Sequence, residues 1–129
     1  SKVLKRSNCR FFLMTGNNID ELKIMDEIIE SEYKEYCTPL NNFTIKEILP
    51  IIPNCQIAIC NDSSFSHLSA GLGIKTIVLM VDTPLIYGSY NKNMYPILPE
   101  GETNVTHDTL GKDKINPEEI YNKFKKLLG

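Results

Sequence analysis

Short apolar runs alternate with amphipathic stretches along most of the chain. The runs have the length of strands and lack period-two alternation, which is typical of strands covered on both faces. We expect strands at residues 10–15, 56–60 and 76–81, with shorter ones at 33–37 and 103–106. The stretches between them repeat apolar residues at helical spacing and predict helices at residues 19–30, 44–52 and 66–72, with a last one opening at 116. This order predicts an α/β fold, a parallel sheet with helices on both faces.

Polar and special residues mark the ends of several of these elements. Thr44 and Glu47 have the spacing of a capping box, so we expect a helix to begin there. Gly73 fits the position just after a helix, and Asn116 fits the capping position before the last one. Loops are predicted at residues 38–42 and, at greater length, at 82–101.

Composition narrows the class of protein. The chain has 129 residues, a length typical of one domain, and its 14 basic and 16 acidic residues give a net charge of −2. That balance argues against a general nucleic-acid-binding protein, which would carry a basic excess. No apolar run approaches the roughly 20 residues of a membrane span. The four cysteines form no C-x-x-C pair, and we expect reduced structural thiols in a cytoplasm and no metal site.

The most informative segment for chemistry is residues 60–67, CNDSSFSH, which follows a predicted strand and opens a predicted helix. If Ser63 caps that helix, the amides of the next three residues point forward and form an anion site at the positive end of the helix dipole. Asp62 could accept from sugar hydroxyls, and a neutral His67 could donate to a phosphate or sugar oxygen. The alternative is that these residues only cap a helix, as serine and aspartate often do.

Residues 61–75, NDSSFSHLSAGLGIK, resemble the D-S-G-x-x-H-x-x-A-x-x-G signature of glycosyltransferase family 9, the bacterial ADP-heptose:lipopolysaccharide heptosyltransferases. The resemblance extends over nearly the whole chain, through residues 43–49 before the signature and 81–84, 88–93 and 115–120 after it.

This resemblance implies one half of a GT-B glycosyltransferase, an enzyme with two Rossmann-like domains and its active site in the cleft between them. Residues 1–129 would be the C-terminal, donor-binding domain. The N-terminal domain, with the acceptor site and the catalytic base, would be absent, so the chain alone would be inactive. The chain starts at Ser1 and not at a methionine, which then indicates a domain boundary.

The implied reaction transfers heptose from ADP-heptose to the lipid A–core acceptor of lipopolysaccharide. It would proceed by a displacement with inversion that needs no metal or other cofactor. The implied location is the cytoplasm, with peripheral contact to the inner membrane and no nucleic-acid partner.

Carried over by position, the donor would meet four residues of the signature. Ser63 and Ser64 would contact the diphosphate, Asp62 the sugar and His67 the phosphate side. The family usually has glycine where this chain has Ser64, and a Cβ at that position would limit close approach of the backbone to phosphate.

Three further residues are implied for the nucleoside, and one for an anion. Phe43 would lie near the adenine, and Asp20 or Glu21 near the ribose. Each also has a purely structural interpretation, Phe43 as a hydrophobic staple and the two acids as first-turn helix residues. Lys92 could meet an anionic donor or acceptor, or simply be solvated.

Two other hypotheses stay open at the level of sequence. The chain could be a stand-alone module that binds a nucleotide or nucleotide-sugar without transferring it. It could also be a different GT-B or flavodoxin-like protein, in which residues 62–67 only cap a helix.

Overall fold

The computed structural model describes residues 9–129. The chain forms two compact units, and the boundary between them in the sequence lies between Leu49 and Pro50. Parallel strands and flanking helices make up both units, which confirms the predicted α/β class. Ser1, on which the expectation of a domain boundary rests, lies outside the described residues. In the part of the chain that the structure describes, no helix has the length and apolar character to cross a membrane.

The described part of the first unit, residues 9–49, contains two short parallel strands and two helices. Its elements are β1 (Phe11–Leu13), α1 (Ile19–Ile29), β2 (Cys37–Pro39) and α2 (Ile45–Ile48). Strands β1 and β2 pair in parallel, and α1 packs against β2. Asn18 caps α1, since its side chain accepts the backbone N–H of Glu21 at 3.0 Å. Among its described residues, the buried apolar side chains are Met25, Leu40 and Ile48.

Two predictions for this unit were wrong in their boundaries. Most of the strand predicted at 33–37 is a 3-10 turn, Lys34–Tyr36. The strand β2 follows at Cys37–Pro39, so it shares only Cys37 with the predicted strand and otherwise lies in the predicted loop. The helix predicted at 44–52 ends at Ile48, and a separate 3-10 turn follows at Ile52–Asn54. Pro50 explains the early end, because proline has no N–H for the helical ladder and its ring crowds the preceding turn.

The capping box predicted at the start of α2 is confirmed. The Glu47 carboxylate accepts both the Thr44 N–H, at 2.7 Å, and the Thr44 hydroxyl, at 2.8 Å. These hydrogen bonds favour the charged carboxylate and lower the pKa of Glu47 below its ordinary value.

Glu47→Gln is therefore expected to lower the stability of this unit in a pH-dependent way. A carboxyl whose pKa is lowered by folding contributes stability above its unfolded pKa, and that contribution is lost as the pH falls through the folded value. The urea midpoint of the variant should lie below that of the wild type at pH 7, and the difference should shrink towards pH 3. Glu27→Gln, an exposed substitution on α1, is the control. An equal, pH-independent loss in both variants would contradict the interpretation.

The second unit is a three-stranded parallel sheet with a helix on each face. Its elements are β3 (Ile57–Asn61), α3 (Ser64–Gly71), β4 (Lys75–Leu79), β5 (Met94–Ile97) and α4 (Pro117–Leu128). The strand order is β3-β4-β5, so β4 is central, with Ile77 opposite Ile59 on one side and Tyr95 on the other.

Side-chain alternation along β4 assigns the two helices to opposite faces. Val78 belongs to a buried cluster with Ala70 of α3. Lys75 is an odd number of residues away from Val78 and points to the other face. There its ammonium donates to the carbonyl of Leu127 in α4 at 2.7 Å. The helices expected on both faces of the sheet are thus present in this unit.

The region after β4 differs from its prediction. Residues 82–101 were expected to be a long loop, but they contain a 3-10 turn at Leu85–Gly88 and the strand β5. The strand expected at 103–106 does not form, and buried Val105 instead anchors a series of turns to the core.

Candidate functional site

The polar segment after β3 forms the start of α3. Ser63 is the N-cap residue, as the sequence predicted, and the helix begins at Ser64, two residues earlier than expected. A reciprocal capping box joins Ser63 and Ser66. The Ser66 hydroxyl accepts the Ser63 N–H at 3.3 Å and donates to the Ser63 carbonyl at 2.7 Å. Because Ser66 is fully buried, this box fixes the direction in which the chain enters the helix.

Two backbone amides remain at the open end of α3. The N–H of Ser66 donates to the Ser63 carbonyl at 3.1 Å, so only Ser64 and Phe65 of the three amides considered in the sequence have no helical acceptor. Ser64 is exposed, and both amides lie at the positive end of the helix dipole. In a parallel sheet, the carboxyl ends of the strands are where ligands bind.

Asp62 and His67 lie together beside this helix end. Asp62 Oδ1 is 3.6 Å from His67 Nε2, which is ion-pair range but too long for a hydrogen bond. The side chain of Asp62 is 12% exposed and that of His67 is 38% exposed. The structure therefore brings two of the sequence-predicted residues into one partly open cluster.

Tyr90 completes this cluster through a contact with His67 that the sequence does not predict. Its hydroxyl lies 2.7 Å from His67 Nδ1, and its ring stacks on the imidazole with centroids 5.7 Å apart and planes 19° apart. The sequence signals for Tyr90 are its place in the predicted loop at residues 82–101, where a tyrosine could cover a cleft or pin the loop to the core, and its place within residues 88–93, which resemble the family. Nothing in its local pattern indicates a histidine 23 positions earlier.

Lys92 is exposed and lies further along the same segment. The segment passes α3 from Tyr90, which contacts His67, to Asn93, whose side-chain amide donates to the Ala70 carbonyl at 3.0 Å. The backbone at Lys92 therefore lies between a contact near the N-terminus of α3, at His67, and a contact near its C-terminus, at Ala70. Among the described residues, the hydrogen-bond and ion-pair contacts of the His67 side chain are with Tyr90 and Asp62, and Lys92 is not one of its partners.

The nucleoside candidates lie in the first unit, at the carboxyl ends of its strands. The Glu21 carboxylate accepts the N–H of Gly16, in the turn after β1, so it locks that turn. Asp20 is exposed on the first turn of α1, and Phe43 is 48% exposed just before the capping box. Asp20 is exposed and, unlike Glu21, does not bind the Gly16 N–H.

Within residues 9–129, no group of three or more histidine, cysteine, aspartate or glutamate side chains is arranged to hold a metal ion.

Parallel strands, flanking helices and a polar helix start at the end of β3 define a Rossmann-like α/β domain. A family model described as glycosyltransferase family 9 (heptosyltransferase) matches residues 1–116. The chain belongs to this family, and a glycosyltransferase function is supported. The hypothesis of an unrelated flavodoxin-like protein is set aside. The match ends before α4, and no curated protein and no solved structure matches the chain.

Proposed function

We propose that this chain is the donor-binding part of a glycosyltransferase that transfers heptose from ADP-heptose to the lipopolysaccharide core. The observation that supports it best is the open start of α3, where two unpaired amides lie beside Asp62 and His67. Helix amides and the helix dipole favour binding of a diphosphate. The Asp62 carboxylate can accept a hydrogen bond from a sugar hydroxyl, and the His67 imidazole can donate one to a phosphate oxygen.

In this proposal the start of α3 binds the group that leaves. The bond between the sugar C1 and the diphosphate oxygen breaks, while the acceptor hydroxyl attacks C1 from the opposite face and gives its proton to a base. The amides of Ser64 and Phe65 stabilise the negative charge that develops on the diphosphate. Asp62 accepts a hydrogen bond from a sugar hydroxyl, and His67 donates one to a phosphate oxygen. The base is proposed to belong to the acceptor-binding domain of the enzyme.

The nucleoside candidates are residues of the first unit, and they are kept as proposals on that unit by itself. Asp20 is proposed to bind the ribose, since Glu21 already accepts from Gly16, and Phe43 is proposed to contact the adenine. Lys92 remains an auxiliary candidate for an anion. The acceptor would be the lipid A–core of lipopolysaccharide, reached at the cytoplasmic face of the inner membrane, with no cofactor besides the donor substrate.

Calorimetric titration with ADP and with ADP-heptose tests the site, because the two ligands separate the roles of its residues. His67→Ala is expected to weaken both ligands by about tenfold, since one hydrogen bond to a charged oxygen is lost. Asp62→Asn is expected to weaken the binding of ADP-heptose more than that of ADP, because it removes the acceptor for the sugar hydroxyl, whereas on ADP it acts only through its contact with His67 Nε2.

His107→Ala and Asp108→Asn, both exposed and remote in sequence, are the matched controls and should bind as the wild type does. If neither ligand binds the wild type above background, the donor-site proposal fails. Binding by a chain shown to be complete, with no transfer to any acceptor, would favour the alternative of a stand-alone nucleotide-sugar-binding module.

A further inference from the structure

The imidazole of His67 has a different neighbour at each nitrogen. Nδ1 lies at hydrogen-bond distance, 2.7 Å, from the Tyr90 hydroxyl. Nε2 faces the Asp62 carboxylate at 3.6 Å. A neutral imidazole has one N–H and one bare nitrogen, so these two neighbours decide which nitrogen carries the proton.

The carboxylate and the Tyr90 hydroxyl favour the same choice, because a phenol donates a hydrogen bond more readily than it accepts one. With the proton on Nδ1, the bare lone pair of Nε2 would face the negative oxygen of Asp62, which is repulsive. With the proton on Nε2, the N–H points towards that charge, and the bare Nδ1 accepts the Tyr90 O–H. Only the second arrangement makes both contacts favourable.

Tyr90 is well placed to hold this state even though its side chain is 57% exposed. On one side the hydroxyl of Ser89 donates to the Leu85 carbonyl at 2.9 Å. On the other, the side chain of Asn91 accepts the N–H of Asn93 at 2.9 Å, and Asn93 is itself tied to α3. The segment is therefore fixed before and after the tyrosine, and stacking sets the plane of the imidazole.

We infer that Tyr90 is a positioning residue that holds His67 as the Nε2–H tautomer. Because the Nε2 to Asp62 distance is too long for a hydrogen bond, that N–H remains able to donate to the oxygen of a ligand at the start of α3. The tautomer is a property of the ligand-free chain. The use of its N–H on a diphosphate rests on the proposed function.

Nitrogen NMR of the chain with labelled histidine measures the tautomer directly. The wild type, at a pH where His67 is neutral, should show a bare Nδ1 and a protonated Nε2. Tyr90→Phe keeps the ring and removes the hydroxyl, so the two nitrogen shifts should move towards the average of mixed tautomers. Tyr87→Phe, another exposed tyrosine on the preceding turn, is the matched control. The second histidine, His107, is assigned with the His107→Ala variant.

A protonated Nδ1 in the wild type, or identical nitrogen shifts in Tyr90→Phe and wild type, would overturn the inference. A second measurement separates it from the proposed function. Tyr90→Phe should bind ADP about threefold to tenfold more weakly, because the histidine is no longer held in its donor form. If no variant or wild-type chain binds ADP while the tautomer shifts as expected, the proposed function fails and the role of Tyr90 stands.

Discussion

Replacing Ile77 with alanine is expected to destabilise the second unit by about 2–5 kcal/mol. Ile77 is at the centre of β4, the strand with a partner on each side, and its side chain is 0% exposed. The substitution removes buried methyl groups and leaves a cavity that the close-packed surroundings fill only in part. Since a domain is stable by only about 5–15 kcal/mol, the urea midpoint followed by circular dichroism should fall sharply.

Ile59→Ala is the matched control for this prediction. Ile59 is the cross-strand neighbour of Ile77 and undergoes the same chemical change, but it is 42% exposed on β3. Ile59→Ala should lower the free energy of unfolding by well under half as much as Ile77→Ala does, because less buried apolar surface is lost. Ile77→Val, expected to cost about 0.5–1.5 kcal/mol, gives a folded intermediate case. Equal losses for Ile77→Ala and Ile59→Ala would show that burial in β4 does not determine stability here.

Elements whose signals are local could be predicted from the sequence. The last helix was expected to open at Asn116, and the side chain of Asn116 does accept the Glu118 N–H at 2.9 Å. Gly73, expected just after a helix, has a φ of +87°, a conformation that favours glycine. In these cases the interacting residues are within one helical turn of each other, so the local sequence alone is enough to predict the structure.

Elements that depend on distant partners were missed. Strand β5 contains Pro96 and lies at the edge of the three-stranded sheet, where a proline is tolerated. It forms because β4 offers a hydrogen-bonding edge, which no local pattern around residue 96 can reveal. Strand β2 is similar, since it ends in Pro39 and is held by parallel pairing with β1.

The candidate site follows the same division. The strand-to-helix turn brings together residues that are close in the sequence, Asp62, Ser63 and His67, and the sequence identified them. Tyr90 reaches the site only because the chain returns past α3 on its way to β5. The Ser66 amide was expected to be free, but the capping geometry that Ser63 provides already uses it.

The thiol of Cys60 is expected to react about a hundredfold more slowly with an alkylating reagent in the folded chain than in the unfolded one. Burial near the end of β3 raises the pKa of Cys60 to about 11. The reactive species is the thiolate, and an ordinary thiol has a pKa of about 8.5, so near pH 8 folding removes nearly all of the thiolate. The structure leaves all four cysteines of the chain unpaired, in agreement with the thiols expected from the sequence.

A variant that retains only Cys60 allows this rate to be measured in buffer and in guanidinium, so that the unfolded chain is its own control. Asn122→Cys, an exposed position on α4, placed in a background without the native cysteines, controls for the reagent and should react at nearly the same rate folded and unfolded. The folded rate of Cys60 should rise as the pH approaches the raised pKa, since the thiolate population then grows. A folded Cys60 that reacts as fast as residue 122 of the control at pH 8 would contradict the burial on which the prediction depends.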